Sequence, residues 1–97
     1  MGDHAQRRHE LRTLAQLFLA QKNLREMEEF IDDAFTLAER RELLQRWQLV
    51  QHLMEGETQR VVKEKVGISF SKVTRGSHVL QYGRGAFPRT VARLKKG

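Results

Sequence analysis

The stretch Gln59-Arg60-Val61-Val62-Lys63-Glu64-Lys65-Val66-Gly67-Ile68-Ser69-Phe70-Ser71-Lys72-Val73-Thr74-Arg75-Gly76 decides the fold. Counting Gln59 as the first position, the fourth, eighth, tenth and fifteenth are Val62, Val66, Ile68 and Val73, all aliphatic, and the ninth is Gly67. Two short helices that cross steeply need apolar side chains at a few such positions. Between them they need a residue that accepts a left-handed backbone. Thr58 and Ser69 each carry a hydroxyl that can cap the helix following it. The spacing predicts a helix-turn-helix within residues 58–82. Lys63, where a small residue is usual, and Gly76, where an apolar one is usual, depart from the common pattern.

The flanking sequence is also helical. Within residues 5–22, Leu11, Leu14, Ala15 and Phe18 recur at the spacing of one helical face. Leu17 and Leu19 widen that stripe beyond the needs of a small monomeric core. Asn23-Leu24-Arg25-Glu26 and Thr36-Leu37-Ala38-Glu39 both have the form of a capping box. The first opens a helix with Leu24, Met27, Ile31 and Ala34 on its apolar face. The second opens the longest helix, residues 37–55, in which Leu43, Trp47, Val50 and Met54 share a face flanked by Leu49 and Leu53. Gly56 supplies its left-handed stop. Gly83 and Gly85 break the chain before a short basic helix over 87–95. With Pro88 the single proline and no clean strand alternation, the expectation is an all-α chain of about six helices forming one domain.

Composition narrows the function classes. Hydrophobic residues make up 39% of 97, enough for a modest core, so large apolar side chains such as Phe18, Phe30, Phe35 and Trp47 favour oligomerisation that would help to bury them. Cysteine is absent, which excludes disulfides, thiolate metal sites and thiol nucleophiles. No apolar run reaches the ~18 residues of a membrane span. The start, Met1-Gly2-Asp3-His4, has no signal-peptide stretch, and Gln6 stands where a myristoylation signal needs Ser or Thr. A soluble, cytoplasmic protein is expected. The histidines at 4, 9, 52 and 78 show no metal-ligand spacing with nearby carboxylates. No nucleophile has a plausible base, so neither catalysis nor a metal is expected.

The net charge of +6 is divided unevenly. Residues 1–57 carry eight Lys/Arg against eleven Asp/Glu (−3), whereas residues 58–97 carry ten against one acid, Glu64 (+9). A nearly pure basic segment is the electrostatic footprint of a polyanion partner, and on a helix-turn-helix that partner is double-stranded DNA. The second helix would enter the major groove N-terminus first. Ile68, Ser69, Phe70, Ser71, Lys72 and Thr74 are then the candidates for groove contacts. Phe70 has two readings, contact with a thymine methyl or anchorage of the helix. Gln59, Arg60 and Lys63 on the preceding helix suit phosphates, which fix register without reading sequence.

These residues resemble the trp repressor family. Gly56-Glu57-Thr58-Gln59-Arg60 is similar to that family's Gly-Glu-x-(Ser/Thr)-Gln-Arg with one residue deleted, and Thr74-Arg75-Gly76-Ser77 followed by Leu80 matches its Thr-Arg-Gly-Ser-x-x-Leu signature. Thr36, Glu39-Arg40 and Arg46-Trp47-Gln48-Leu49-Val50 fall in the family's register. The resemblance covers residues 33–82. It implies an intertwined homodimer acting as a transcriptional repressor at a trp-type operator, with L-tryptophan as corepressor and no other cofactor. Residues 1–57 would serve dimerisation and the effector pocket, 58–82 the helix-turn-helix, and 83–97 a basic C-terminal helix. Arg46 and Arg75 match the two arginines that flank the indole, one of which also meets the carboxylate; a guanidinium can both stack and fork in this way. Gly76 matches the glycine that admits the ligand, and Thr36, Leu49 and Val50 match further pocket positions. The chain before Thr36 would supply carbonyls to the ammonium. Val79 stands where the family has a serine for that ammonium. A regulator on the same scaffold with another effector, or none, is the alternative reading, and a basic adaptor docking on an acidic protein is a second.

Overall fold

The computed structural model describes residues 2–96; Met1, with which the N-terminal reading begins, and Gly97, the end of the C-terminal segment, lie outside the described residues. The described residues form six helices and no strand. The chain divides after Leu37 into two compact units.

The first unit holds α1 (Gly2–Leu19) and α2 (Leu24–Ala34). α1 begins and ends three residues earlier than the 5–22 periodicity suggests, and at its C-terminus it tightens, with the Gln21 N–H donating to the Phe18 carbonyl at 3.2 Å. Asn23 caps α2 by accepting from the Glu26 N–H at 2.9 Å, and the Glu26 carboxylate accepts from the Lys22 N–H at 2.9 Å. The capping box is real, but its return bond reaches one residue further back than the usual form. Phe18 meets Phe30 edge-on at 5.3 Å and lies near-parallel to Phe35 at 6.0 Å. Neither α1 nor α2 contains a buried residue, and Leu11, Leu14 and Leu17 remain about half exposed. The apolar stripe read from the sequence is present on α1: its Phe18 end packs on Phe30 and Phe35, while Leu11, Leu14 and Leu17 stay half exposed.

The second unit, from Ala38, holds the rest of α3 (Leu37–Met54), α4 (Gln59–Val66), α5 (Phe70–Tyr82) and α6 (Ala86–Lys96). Thr58 caps α4 by accepting from the Val61 N–H, and Ser69 caps α5 by accepting from the Lys72 N–H. Between them Gly67 sits at φ 74°, where a side chain would be strained, and its N–H closes α4 on the Lys63 carbonyl at 3.0 Å. α4 and α5 pack on one another, completing the helix-turn-helix.

Its core is Leu49 of α3 with Val62 of α4 and Val73 of α5, and Leu53, Val66 and Ile68 pack around it. All four helix-turn-helix aliphatics are used, and each fully buried one contributes roughly 1.5–3 kcal/mol. The face of α3 differs from expectation. Leu49 and Val50 are buried, whereas Leu43 and Met54 are exposed. The row that faces α4 and α5 is Leu49 with Leu53 one turn on, so the pair read as flanking is the core row. The fit is close at one point: a Cβ added to buried Gly76 would lie 2.6 Å from Leu49 Cδ2. The missing side chain at 76 is what allows α5 to approach α3.

The end of α3 carries a charged junction. Gly56, at φ 88°, turns the chain so that the Glu57 N–H donates to the His52 carbonyl at 3.4 Å. The Glu57 carboxylate then meets Lys65 Nζ of α4 at 2.5 Å and His52 Nδ1 at 2.5 Å. The Lys65 ammonium, and after it His52, holds the Glu57 carboxyl below the usual carboxylate range, while the same contact raises Lys65. This corrects the reading that no histidine lies with ligand-like carboxylates: His52, Glu55 and Glu57 converge, their potential ligand atoms all within 4.8 Å of one another. The turn at Gly56 produces that convergence, which linear spacing conceals. Lys65 already occupies Glu57 as a cation, so the group works as a clamp between α3 and α4.

Candidate functional site

Two surfaces meet at α5. The first is the exposed N-terminal part of the helix-turn-helix. Ser69, Phe70, Ser71, Lys72 and Thr74 are exposed there, as are Arg60 and Lys63 on α4, while Gln59 is half-buried. Ser69 is occupied locally, since its hydroxyl caps the helix and lies 3.2 Å from the Ser71 hydroxyl. Ile68 is half-buried against the core, so its side chain supports the turn. Phe70 is 52% exposed, which fits a side chain facing outward better than an anchor. Arg60 pairs with Glu64 at 3.9 Å across one helical turn. Among the described residues Lys63 and Lys72 make no ion pair, which leaves both ammonium groups available to an anion.

The second surface is a cavity of about 340 Å³ between α3, α5 and the start of α6, within the size range of small-molecule sites. α3 contributes Glu42, Leu43, Gln45, Arg46, Leu49 and Val50; Ile68 comes from the turn; α5 contributes Lys72, Arg75, Gly76 and Val79; α6 contributes Phe87. Arg46, Leu49, Val50, Arg75, Gly76 and Val79, which the sequence groups only through a family resemblance, thus surround one space. Leu49 and Val50 make a buried floor, against which Gly76 packs closely. Arg46 and Arg75 are exposed and, among the described residues, in no ion pair. Thr36 belongs to the first unit.

Glu42, Gln45 and Phe87 of the lining carry no role in the sequence reading, where Leu43 counts only as part of the apolar face of α3. Glu42 lies one turn before Arg46, Gln45 one turn before Leu49 and Leu43 beside them, so helical spacing from the named positions could have found these three. Phe87 carries no such signal. It reaches the cavity because α6 returns after Gly83-Arg84-Gly85 and its ring lies 6.1 Å from that of Trp47. Lys72 appears on both surfaces, as an exposed residue of the first turn of α5 and as part of the cavity wall. A ligand in this cavity therefore sits directly behind the side chains that α5 presents outward.

Comparison with known proteins gives the chain its family. The Trp repressor protein family matches residues 9–95. A Trp operon repressor homolog of Chlamydia trachomatis is 36% identical over 86 residues, covering 84% of this chain and 88% of that protein. The uncharacterized protein YerC of Bacillus subtilis is 32% identical over 87 residues, covering 90% of this chain and 84% of its own length. Among solved structures, a TrpR-like protein from Eubacterium eligens superposes with a TM-score of 0.78 at 31% identity, covering 90% of both chains.

Proposed function

Because the chain belongs to the Trp repressor family of transcription regulators, we propose that it is a repressor whose grip on a trp-type operator is switched by L-tryptophan in the α3/α5 cavity. The observation that carries this reading is the cavity itself, which brings Arg46 and Arg75 together over a buried Leu49/Val50 floor immediately behind α5. A planar apolar ring with a carboxylate suits such walls. The guanidinium groups stack on its faces and one of them forks onto its carboxylate.

The switch follows from position. Ligand between α3 and α5 sets the angle of α5 and with it the direction of Ser71, Lys72 and Thr74 toward base edges. Gln59, Arg60 and Lys63 hold phosphates. The ligand favours the DNA-competent arrangement only as far as it binds that arrangement more tightly. The half-exposed leucine stripe of α1 supports a homodimer, in which two copies of α5 address successive major grooves of a palindrome. A repressor of this kind acts in the cytoplasm, where its operator is. Val79 supports a second reading, the same scaffold with another effector, because it offers no polar atom to an ammonium.

Calorimetric titration with L-tryptophan tests the effector. Saturable binding at one site per chain, lost in Arg46→Ala and Arg75→Ala, is expected. Absence of heat, with no displacement by indole-3-propionate, moves the effector to another class of small molecule.

A further inference from the structure

Glu42 is the one acid among the residues that line the cavity, which it shares with three cations, Arg46, Lys72 and Arg75. Its position relative to Arg46 is informative. An acid four residues before a base on a helix is the favourable orientation for an ion pair. Elsewhere the less favourable order still pairs, as Arg25–Glu29 and Arg60–Glu64 both do at 3.9 Å. Yet among the described residues Glu42 and Arg46 form no such pair. Both residues line the cavity, and neither spends its charge on the other.

From this geometry we infer that Glu42 receives the ammonium of a zwitterionic α-amino acid whose carboxylate is held by one of the two arginines, Arg46 or Arg75. Residues four apart on one helix face have Cβ atoms about 5–6 Å apart, so one turn of α3 presents an acceptor and a donor to the two ends of an amino-acid head group. Val79 offers no polar side-chain atom to the ammonium, and the other charged side chains on the wall are cations that repel it, so beside any backbone carbonyl Glu42 is the one charged acceptor the wall provides. Conversely, a plain carboxylic acid of the same shape gains the arginines but meets the repulsion of Glu42. The pocket therefore selects for the amino group by charge, with the acid supplied from α3 and not from α5. The inference rests on the proposed effector site and identifies the residue that sets its selectivity.

The experiment is a pair of calorimetric titrations, L-tryptophan and indole-3-propionate, on the wild-type protein and on Glu42→Gln. Glu42 is exposed, so the variant folds, which circular dichroism confirms. Glutamine keeps the shape and removes the charge. The expected result is a tryptophan-to-propionate affinity ratio that falls by about three- to tenfold in the variant, the range for a partly solvated charge-assisted contact. Part of that fall comes from tighter propionate binding as the like charge is removed. Binding of both ligands with an unchanged ratio overturns the role of Glu42 and leaves the effector site standing. Binding of neither ligand by the wild-type protein overturns the effector site, and the role of Glu42 with it.

Discussion

Gly76→Ala tests the packing that joins the reading helix to the cavity. The added Cβ would stand 2.6 Å from Leu49 Cδ2 and 3.0 Å from Leu49 Cγ. Leu49 is 2% exposed and wedged against Val62 and Val73, both fully buried, so it cannot swing into solvent. Overpacking of this kind costs about 1–3 kcal/mol. Replacing glycine by alanine inside a helix returns about 0.8–1.0 kcal/mol. The net expectation is destabilisation of about 1 kcal/mol, and for a chain of this size that lowers the melting temperature by about 4–8 °C. Differential scanning calorimetry reads the shift directly. Because Gly76 also lines the cavity, effector affinity should fall in the same variant. A melting temperature equal to or above that of the wild type would refute the close approach of α5 to α3.

Arg75→Ala should leave the melting temperature within a few degrees, since the side chain is exposed, while abolishing the effect of L-tryptophan on DNA binding; a retained response would remove Arg75 from the site. Lys63→Ala should weaken binding to all duplexes alike and reduce the slope of log K against log salt by about 0.9, one phosphate contact; a sequence-dependent loss would mean that Lys63 reads bases instead. Glu57→Gln should destabilise the protein at neutral pH by releasing Lys65 and His52. The folded-state carboxyl is held below its ordinary value, so its contribution is fully present above the unfolded-state pKa and is lost as pH falls through the folded-state value. Urea unfolding of the two proteins should therefore differ at neutral pH and converge in acid, and a gap that persists in acid would contradict the clamp.

The helix-turn-helix was legible because its constraints are local. Gly67, the caps at Thr58 and Ser69, and the four aliphatics each announce their role by spacing, and the structure uses every one. The core face of α3 was not, because Leu43, Trp47, Val50 and Met54 and the row Leu49–Leu53 are equally good helical stripes. Only the place where α4 and α5 dock chooses between them. Glu57 with His52 and Lys65 needed the turn at Gly56 to bring the three together. Phe87 needed the return of α6, which two glycines permit but do not specify. The cavity residues were named through family register alone, and their convergence around one space is a property of the folded chain.

Whether a small molecule behind α5 governs what α5 does at its outer surface is read by fluorescence anisotropy of a palindromic trp-type operator duplex, titrated with the protein in the presence and absence of L-tryptophan at fixed salt. The expected result is tighter binding with tryptophan, confined to the operator and absent for a scrambled duplex of equal length. Equal affinities with and without tryptophan on the operator would contradict it.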